Sequence, residues 1–424
     1  MKRNCRLGLR LFPPEDRKKL RGVQEKDLTL KTVVGDIVAP ALYGTDRETG
    51  ELVMPLRERL GLEKNQSMTP ALQDRLSFLA ISSKSFGRAS EMAAKFGVKV
   101  DGSQIQRLAQ HVGARAEAQE AERVSAVFDA KKNKEITPKT AHESKKEEPF
   151  VMVIMQDGLM LRNRGGDWGL KPESAVGERV VWHELKAGLV IRIPESSLTR
   201  DEDKGEGRKK RKRKRPTFEK YYVADAGGPE AIGKKLYAEA KRRGVDRARR
   251  VYVVSDGAAW IWNLAEEHFP GSGELLDFYH ATEHLWALGR ILWGADEEEK
   301  VKAWVTPLRS TLRYRGGVEL LPFLEELLKT EEAKKPEMGA GRLKELNREV
   351  AYFRKHESRL DYPEAKRQGM PLGSGAMESA CSQIQGRFKC TGQFWSPSGE
   401  RHLLALELAW RNRDWNELWS SGAA

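Results

Sequence analysis

Cysteine is scarce: Cys5, Cys381 and Cys390 are the only three in 424 residues. An odd, scattered set with no C-x-x-C pair argues against a disulfide framework and a zinc ribbon, and the chain reads as intracellular and cytoplasmic. Long apolar runs are missing as well. Nothing approaches the roughly 18 apolar residues of a membrane span, and the basic start "MKRNCRLGLRLFPPED" lacks the apolar core of a secretion signal. No G-x-x-x-x-G-K-[ST] phosphate loop is found, so ATP hydrolysis is not expected and no nucleotide cofactor is implied. Acidic residues are the minority charge: 62 Asp and Glu against 75 Lys and Arg give a formal charge of +13. A surface that basic favours polyanionic partners.

A chain of this length can bury a large core and divides, by texture, into five parts. Residues 1–70 are β-rich around "LTLKTVVGDIVAPALYGTDRETGELVMPL", where two strand-like runs flank the turn-forming "GTDRETG". Residues 71–148 turn helical. Here "SFGRASEMAAKFGVKVDGSQIQRLAQHVG" reads as helix, turn, helix with the break at residues 97–102, and a polar helix and linker follow from Ala114. Such a unit can lay its second helix, residues 103–111, in the DNA major groove. The alternative is an ordinary helical pair packed on a core.

From Phe150 the texture changes again. Residues 149–284 give three strands in succession, "FVMVIMQDGLML", "RVVWHELKAGLVIRI" and "FEKYYVADAGG", and then a β-α-β alternation through "RVYVVSDGAAW" to "ELLDFY". That order describes an α/β fold with a mixed sheet covered by helices. Residues 285–368 are helical throughout, with i, i+3, i+4 apolar spacing, and residues 369–424 form a C-terminal helical part. Between the second and third strands lies "DEDKGEGRKKRKRKRP". Its run Lys209, Lys210, Arg211, Lys212, Arg213, Lys214 and Arg215 repels itself and suits a loop that binds phosphates, a solvated loop or localisation tract being the alternative.

Two strands end alike. "IMQDG" places Asp157 after the first and "VVSDG" places Asp256 after the fourth, each followed by a glycine that allows a sharp turn. One such aspartate is most often a turn or helix cap. Two on neighbouring strands are more informative, because strands about 4.8 Å apart let their carboxylates converge on one Mg²⁺. "PLGSGAMESACSQIQGRFK" offers a third: Ser374 as a helix cap, Glu378 in the first turns, and Arg387 and Lys389 further along. Glu378 could instead serve the helix dipole, but its setting of small residues would let a substrate backbone come close. Three hard carboxylates suit two-metal phosphoryl transfer, with two Mg²⁺ or Mn²⁺ ions about 3.5 to 4 Å apart.

"QDG" followed by Trp182, Glu184, Lys186 and Gly188, then "SDGAAWIWN", "LLDFYHATEHL" and "GSGAMESACSQIQGRFKCTGQFWS", resembles the Kra-type bacterial insertion-sequence transposases, which are related to Mutator-like enzymes. The resemblance spans roughly residues 150–415 and implies a ribonuclease H-like core, interrupted by an all-α insertion, with Asp157, Asp256 and Glu378 as a metal-binding DDE triad. It implies double-stranded DNA, as terminal inverted repeats and target, as substrate, and a nucleoid-associated protein. Pairing two element ends further suggests a homodimer on DNA. A nuclease or resolvase of the same fold without strand transfer, and a silent DNA-binding descendant, remain as alternatives.

One short pattern points elsewhere. His280-x-x-Glu283-His284 matches an inverted zinc-protease motif. Under the resemblance Asp277 and His280 instead fill a D-x-x-H element accessory to the nuclease site, with His280 orienting a phosphate or the attacking group. Glu283 and His284 then set packing and hydrogen bonds. Trp395 in "GQFWS" is ambiguous between core packing and stacking on an unpaired base beside Arg387 and Lys389.

Overall fold

The computed structural model describes residues 5–6, 13–63, 66–129, 148–171, 174, 177–198, 218–333 and 339–420. The chain is mixed α/β and divides into two units. One comprises Met1–Glu122, Arg162–Val181 and Gly386–Ala424, and the other Arg123–Leu161 and Trp182–Gln385. Residues 369–424, expected as one part, are therefore shared between the units.

In the first unit, β1 (Cys5–Arg6) runs parallel to β3 (Gly35–Asp46), which forms a long antiparallel hairpin with β2 (Leu20–Thr32). The sequence reading missed this reversal. It falls at Val33 and Val34, two strand-forming residues, and is marked only by Gly35 at φ 112°. The expected turn after β3 is present: Asp46 accepts from the amides of Glu48 and Thr49 at 2.8 and 2.9 Å, and Gly50 is left-handed. It leads into β4 (Leu52–Val53), which pairs antiparallel with β3. Period-two alternation buries Leu28 and Leu30 against Ala39 and Ala41, with Leu56 and Leu62 completing that cluster.

Three helices follow, Pro70–Ser82, Phe86–Lys95 and Gly102–Phe128. Ser85 caps the second by accepting from the Arg88 amide at 3.1 Å. The break lies where expected, with Gly97 at φ 83°. The short second helix and the separate polar helix expected here are one continuous helix of 27 residues. It buries Ile105, Leu108, Ala109, Val112 and Ala116 along one stripe, and Gly113 lets it approach the backbone carbonyl of His402 on the helix Pro397–Arg411.

The second unit holds a five-stranded sheet of order β7-β6-β5-β8-β9. Its members are β5 (Phe150–Arg164), β6 (Val180–Pro194), β7 (Glu219–Asp225), β8 (Arg250–Ser255) and β9 (Gly273–Leu276). β6 and β7 are antiparallel, whereas β5, β8 and β9 run parallel to one another. Parallel strands need helical crossovers, supplied after β7 by Pro229–Arg242 and after β8 by Ala259–His268. With both faces covered, β5 becomes an unbroken apolar run, and Val151 to Ile154 are wholly buried. After β9 the chain is helical: Phe278–Trp293, Glu298–Arg315, Gly317–Ala333, Ala340–Lys355 and Tyr362–Arg367 precede the helix Gly375–Phe388. Leu285, Val305, Leu312, Leu324, Leu346 and Phe353 are among its buried residues. Among the described residues no helix is long and apolar enough to cross a membrane.

Candidate active site

Asp157 and Asp256 lie at one level on adjacent parallel strands. Ile154 of β5 is opposite Val253 of β8, and each aspartate comes three residues further on. Asp256 directly follows β8, as expected. Asp157 does not end its strand, because β5 continues to Arg164 with Leu159 and Leu161 buried. Gly158 makes no turn, since β5 runs on through it, whereas Gly257 lies in the expected bend, where Asp256 Oδ1 accepts from the Ala258 amide at 2.9 Å ahead of the next helix. Both glycines are needed for close approach: a Cβ on Gly158 would collide with the Glu184 carboxylate, and one on Gly257 with the Tyr352 hydroxyl.

The third carboxylate arrives on the helix Gly375–Phe388. Ser374 does not spend its hydroxyl as a cap for that helix. Its amide and Oγ both donate to Asp277 Oδ2 at 2.5 Å, while Asp277 Oδ1 accepts from the amides of Tyr279 and His280 at 2.6 and 2.9 Å. Asp277, 2% exposed, thus caps the helix that carries His280 and ties down the start of the helix that carries Glu378. Gly373 is small because the Tyr279 ring packs on it, which replaces the expected role of admitting a substrate backbone at that position.

Glu378 is exposed, and Cys381, on the same helix face one turn later, is buried. The Cys381 thiol reaches Asp157 Oδ2 at 3.7 Å, and Asp157 Oδ1 accepts from the Gly158 amide at 2.7 Å. Burial pushes the Asp157 carboxyl above its ordinary pKa; the Gly158 amide opposes this, and the charges of Asp256 and Glu378 add to it. Burial also pushes the Cys381 thiol up to about 12, with Asp157 and Glu378 contributing. The three predicted carboxylates therefore share one electrostatic neighbourhood. They are not drawn together as ligands: among the described residues, no group of three or more His, Cys, Asp or Glu side chains could hold a metal ion as it stands.

His280 sits beside this cluster, its Nδ1 3.4 Å from Glu283 Oε2 and its side chain 37% exposed. His284 has the packing role expected of it. Its Nδ1 is 2.6 Å from Glu349 Oε2, and its ring stacks on Tyr352 at 3.6 Å and 18°. With His284 committed to Glu349, the zinc-protease pattern has no support in the geometry. On the other side Lys186 pairs with Glu184 and lies 4.8 Å over the ring of Trp260, so the W-x-E-x-K segment buttresses the Gly158 side of the site.

Two residues expected to touch DNA do not reach the surface. Arg387 is 5% exposed, with Nε donating to the Ala80 carbonyl at 3.1 Å and the guanidinium 5.2 and 5.1 Å from the touching rings of Phe86 and Trp395. Burial pushes its pKa down to about 10. Trp395 is 7% exposed and donates from Nε1 to the Phe388 carbonyl at 2.9 Å. Both are core residues: for Trp395 that is the default of the two readings the sequence allows, whereas the polar segment around Arg387 carries no sign of it. Lys389 is exposed, and the tract at residues 209–215 lies outside the described residues. Arg387→Ala is expected to cost about 3 kcal/mol of stability, because it empties an aromatic cage and leaves buried carbonyls unpaired. The salt dependence of DNA binding should stay the same. Calorimetry and a salt titration check this; weaker DNA binding at unchanged stability would return Arg387 to the DNA surface.

Tyr352 and Cys381 join the site without being among the residues expected there. Cys381 had a usable signal in its i+3 spacing from Glu378. Tyr352 had none, since it lies in the helical segment far along the chain from both aspartates.

The fold and site define a mixed α/β protein with a carboxylate cluster on the central strands of its sheet. Against known proteins, residues 11–147 match a family described as Uncharacterised protein family (UPF0236), a stretch that precedes every residue of the cluster. A comparison with curated proteins returned no match.

Proposed function

We propose that this chain is an insertion-sequence DNA transposase, a DDE enzyme that cuts the ends of its element and joins them to target DNA. The observation that carries this reading is that Asp157 and Asp256 each stand three residues beyond the paired Ile154 and Val253 of adjacent parallel strands, with the charges of Asp256 and Glu378 acting on Asp157. The finer fold proposed is ribonuclease H-like. A mixed sheet bearing two carboxylates, then a long helical insertion before the third, supports it.

The donor set fits a divalent cation in chemistry: three hard carboxylates, of which Asp157 has its pKa raised by burial and further by the charges of Asp256 and Glu378, are what Mg²⁺ or Mn²⁺ would neutralise. Asp157, Asp256 and Glu378 would hold it. When bound, such ions activate the attacking water or 3′-hydroxyl and stabilise the leaving oxygen. The chain's own contribution is positioning. Asp277 fixes the helices of His280 and Glu378 to each other, and the Lys186–Glu184 pair supports the backbone beside Asp157. Double-stranded DNA is the substrate, held as a pair of terminal repeats by a homodimer, since one chain carries a single triad.

The test is a strand-transfer assay on DNA carrying the element's own ends, with Mg²⁺ or Mn²⁺. Cleavage followed by joining supports the reading. Hydrolysis without joining would make the protein a nuclease or resolvase, and binding without cleavage a silent descendant. Cleavage-competent complexes containing a single chain, measured by mass in solution, would overturn the dimer.

The basic run at residues 209–215 is assigned non-specific phosphate contacts, which position DNA without reading bases. Neutralising it is expected to flatten the salt dependence of binding, each lost contact lowering the slope by about 0.9. An unchanged slope in a fluorescence-anisotropy titration would remove the tract from the interface.

A further inference from the structure

Tyr352 belongs to the helix Ala340–Lys355, and its ring is locked in place. His284 stacks on it at 3.6 Å, His356 tilts against it at 4.8 Å, and His280 meets its edge at 6.0 Å. The ring has little freedom, so the direction of its hydroxyl is fixed. That hydroxyl is buried and has no hydrogen-bond partner among the described residues. It lies against Gly257, the residue after Asp256, so closely that no side chain fits there. Asp256, Asp277, Glu349 and Glu283 all act on it electrostatically, yet none accepts its proton.

A buried O–H held by three aromatic neighbours, with no acceptor among the described residues, keeps a proton to offer an incoming group. We propose that the Tyr352 hydroxyl donates a hydrogen bond to an anionic or ion-bound oxygen held beside Asp256, so that the helical segment supplies a positioning residue to the acidic site. The inference rests on the phosphoryl-transfer reading above. The oxygen belongs either to a water on the bound cation or to a phosphate of the DNA.

Tyr352→Phe in the full chain removes the hydroxyl and keeps the stacked ring. Its melting temperature in EDTA should equal or exceed that of the wild type, because no existing bond is lost. Mn²⁺ binding is then followed by electron paramagnetic resonance without DNA, and DNA binding by anisotropy in Ca²⁺. If the acceptor is an ion-bound water, Mn²⁺ affinity falls about tenfold; if it is a phosphate oxygen, Mn²⁺ affinity holds and DNA affinity falls about tenfold. Both affinities within twofold of wild type would overturn the proposal, as would a Phe variant that melts well below wild type, which would show a structural partner for the hydroxyl. Asp256→Asn separates the two readings. Mn²⁺ binding that Asp256→Asn abolishes but Tyr352→Phe leaves alone, with DNA affinity also unchanged, refutes the role of Tyr352 only. Wild-type protein that binds no Mn²⁺ at this site refutes the acidic-site reading and the inference with it.

Discussion

Asp157→Asn is expected to give a protein that melts higher than the wild type at neutral pH in EDTA and cleaves DNA roughly a thousandfold more slowly, or not at all. The two effects have one cause. Burial, together with the charges of Asp256 and Glu378, makes the ionised Asp157 carboxylate unfavourable in the folded state, so its folded pKa lies above its unfolded value. A carboxylic acid of that kind contributes stability that is fully present below the unfolded pKa and is lost as pH rises through the folded pKa. Asparagine mimics the protonated form at every pH. The two proteins should therefore have similar melting temperatures in acid and diverge as pH rises through the carboxylate range. Adding Mg²⁺ or Mn²⁺ should raise the melting temperature of the wild type and leave that of Asp157→Asn nearly unchanged, since a ligand stabilises only the form that binds it. Scanning calorimetry between acid and neutral pH, with and without the ion, decides the matter. A variant that melts lower at neutral pH and still cuts DNA would sink both the electrostatic argument and the triad.

How far the sequence foretold this arrangement depended on the range of the forces involved. β5 and β8 were readable because burial on both faces leaves an apolar run in the sequence, and the aspartates stand out where those runs break. The glycines beside them stand out too, but a turn accounts for Gly257 alone, and only in part. Gly158 and Gly257 answer to Glu184 and Tyr352, which are distant in the chain, whereas a local reading can offer only a turn. Arg387 failed for the same reason. A cation in a polar segment reads as surface, and only the packing of Phe86, the Ala80 carbonyl and Trp395 around it makes it core. The Val33–Val34 reversal is the converse case, a local event carried out by residues whose own preference is for strand.

Asp277 is the residue whose loss should cost the fold most. One buried carboxylate accepts four hydrogen bonds, two from the first turn of the helix Phe278–Trp293 and two from Ser374 ahead of the helix Gly375–Phe388. Asp277→Ala leaves those donors without their acceptor and removes a charged N-cap. Hydrogen bonds to charged groups contribute about 1.5 to 3 kcal/mol each and are not additive, so the expected loss is about 4 kcal/mol, or roughly 10 °C for a unit of this size. Asp277→Asn keeps one acceptor oxygen and should lose about half as much. The functional consequence follows from the geometry. With Ser374 released, the start of the helix that carries Glu378 loses its tie to Asp277, so cleavage should fall in both variants even at temperatures where each is folded. Here a structural tie and a metal ligand predict different results. A tie makes activity track stability, with Asn intermediate between Asp and Ala in both, whereas a ligand would make Asn as inactive as Ala at almost full stability. Melting temperature and cleavage rate measured on the same two preparations settle the choice, and an inactive Asp277→Asn that melts with the wild type would move Asp277 out of the scaffold and into the metal site.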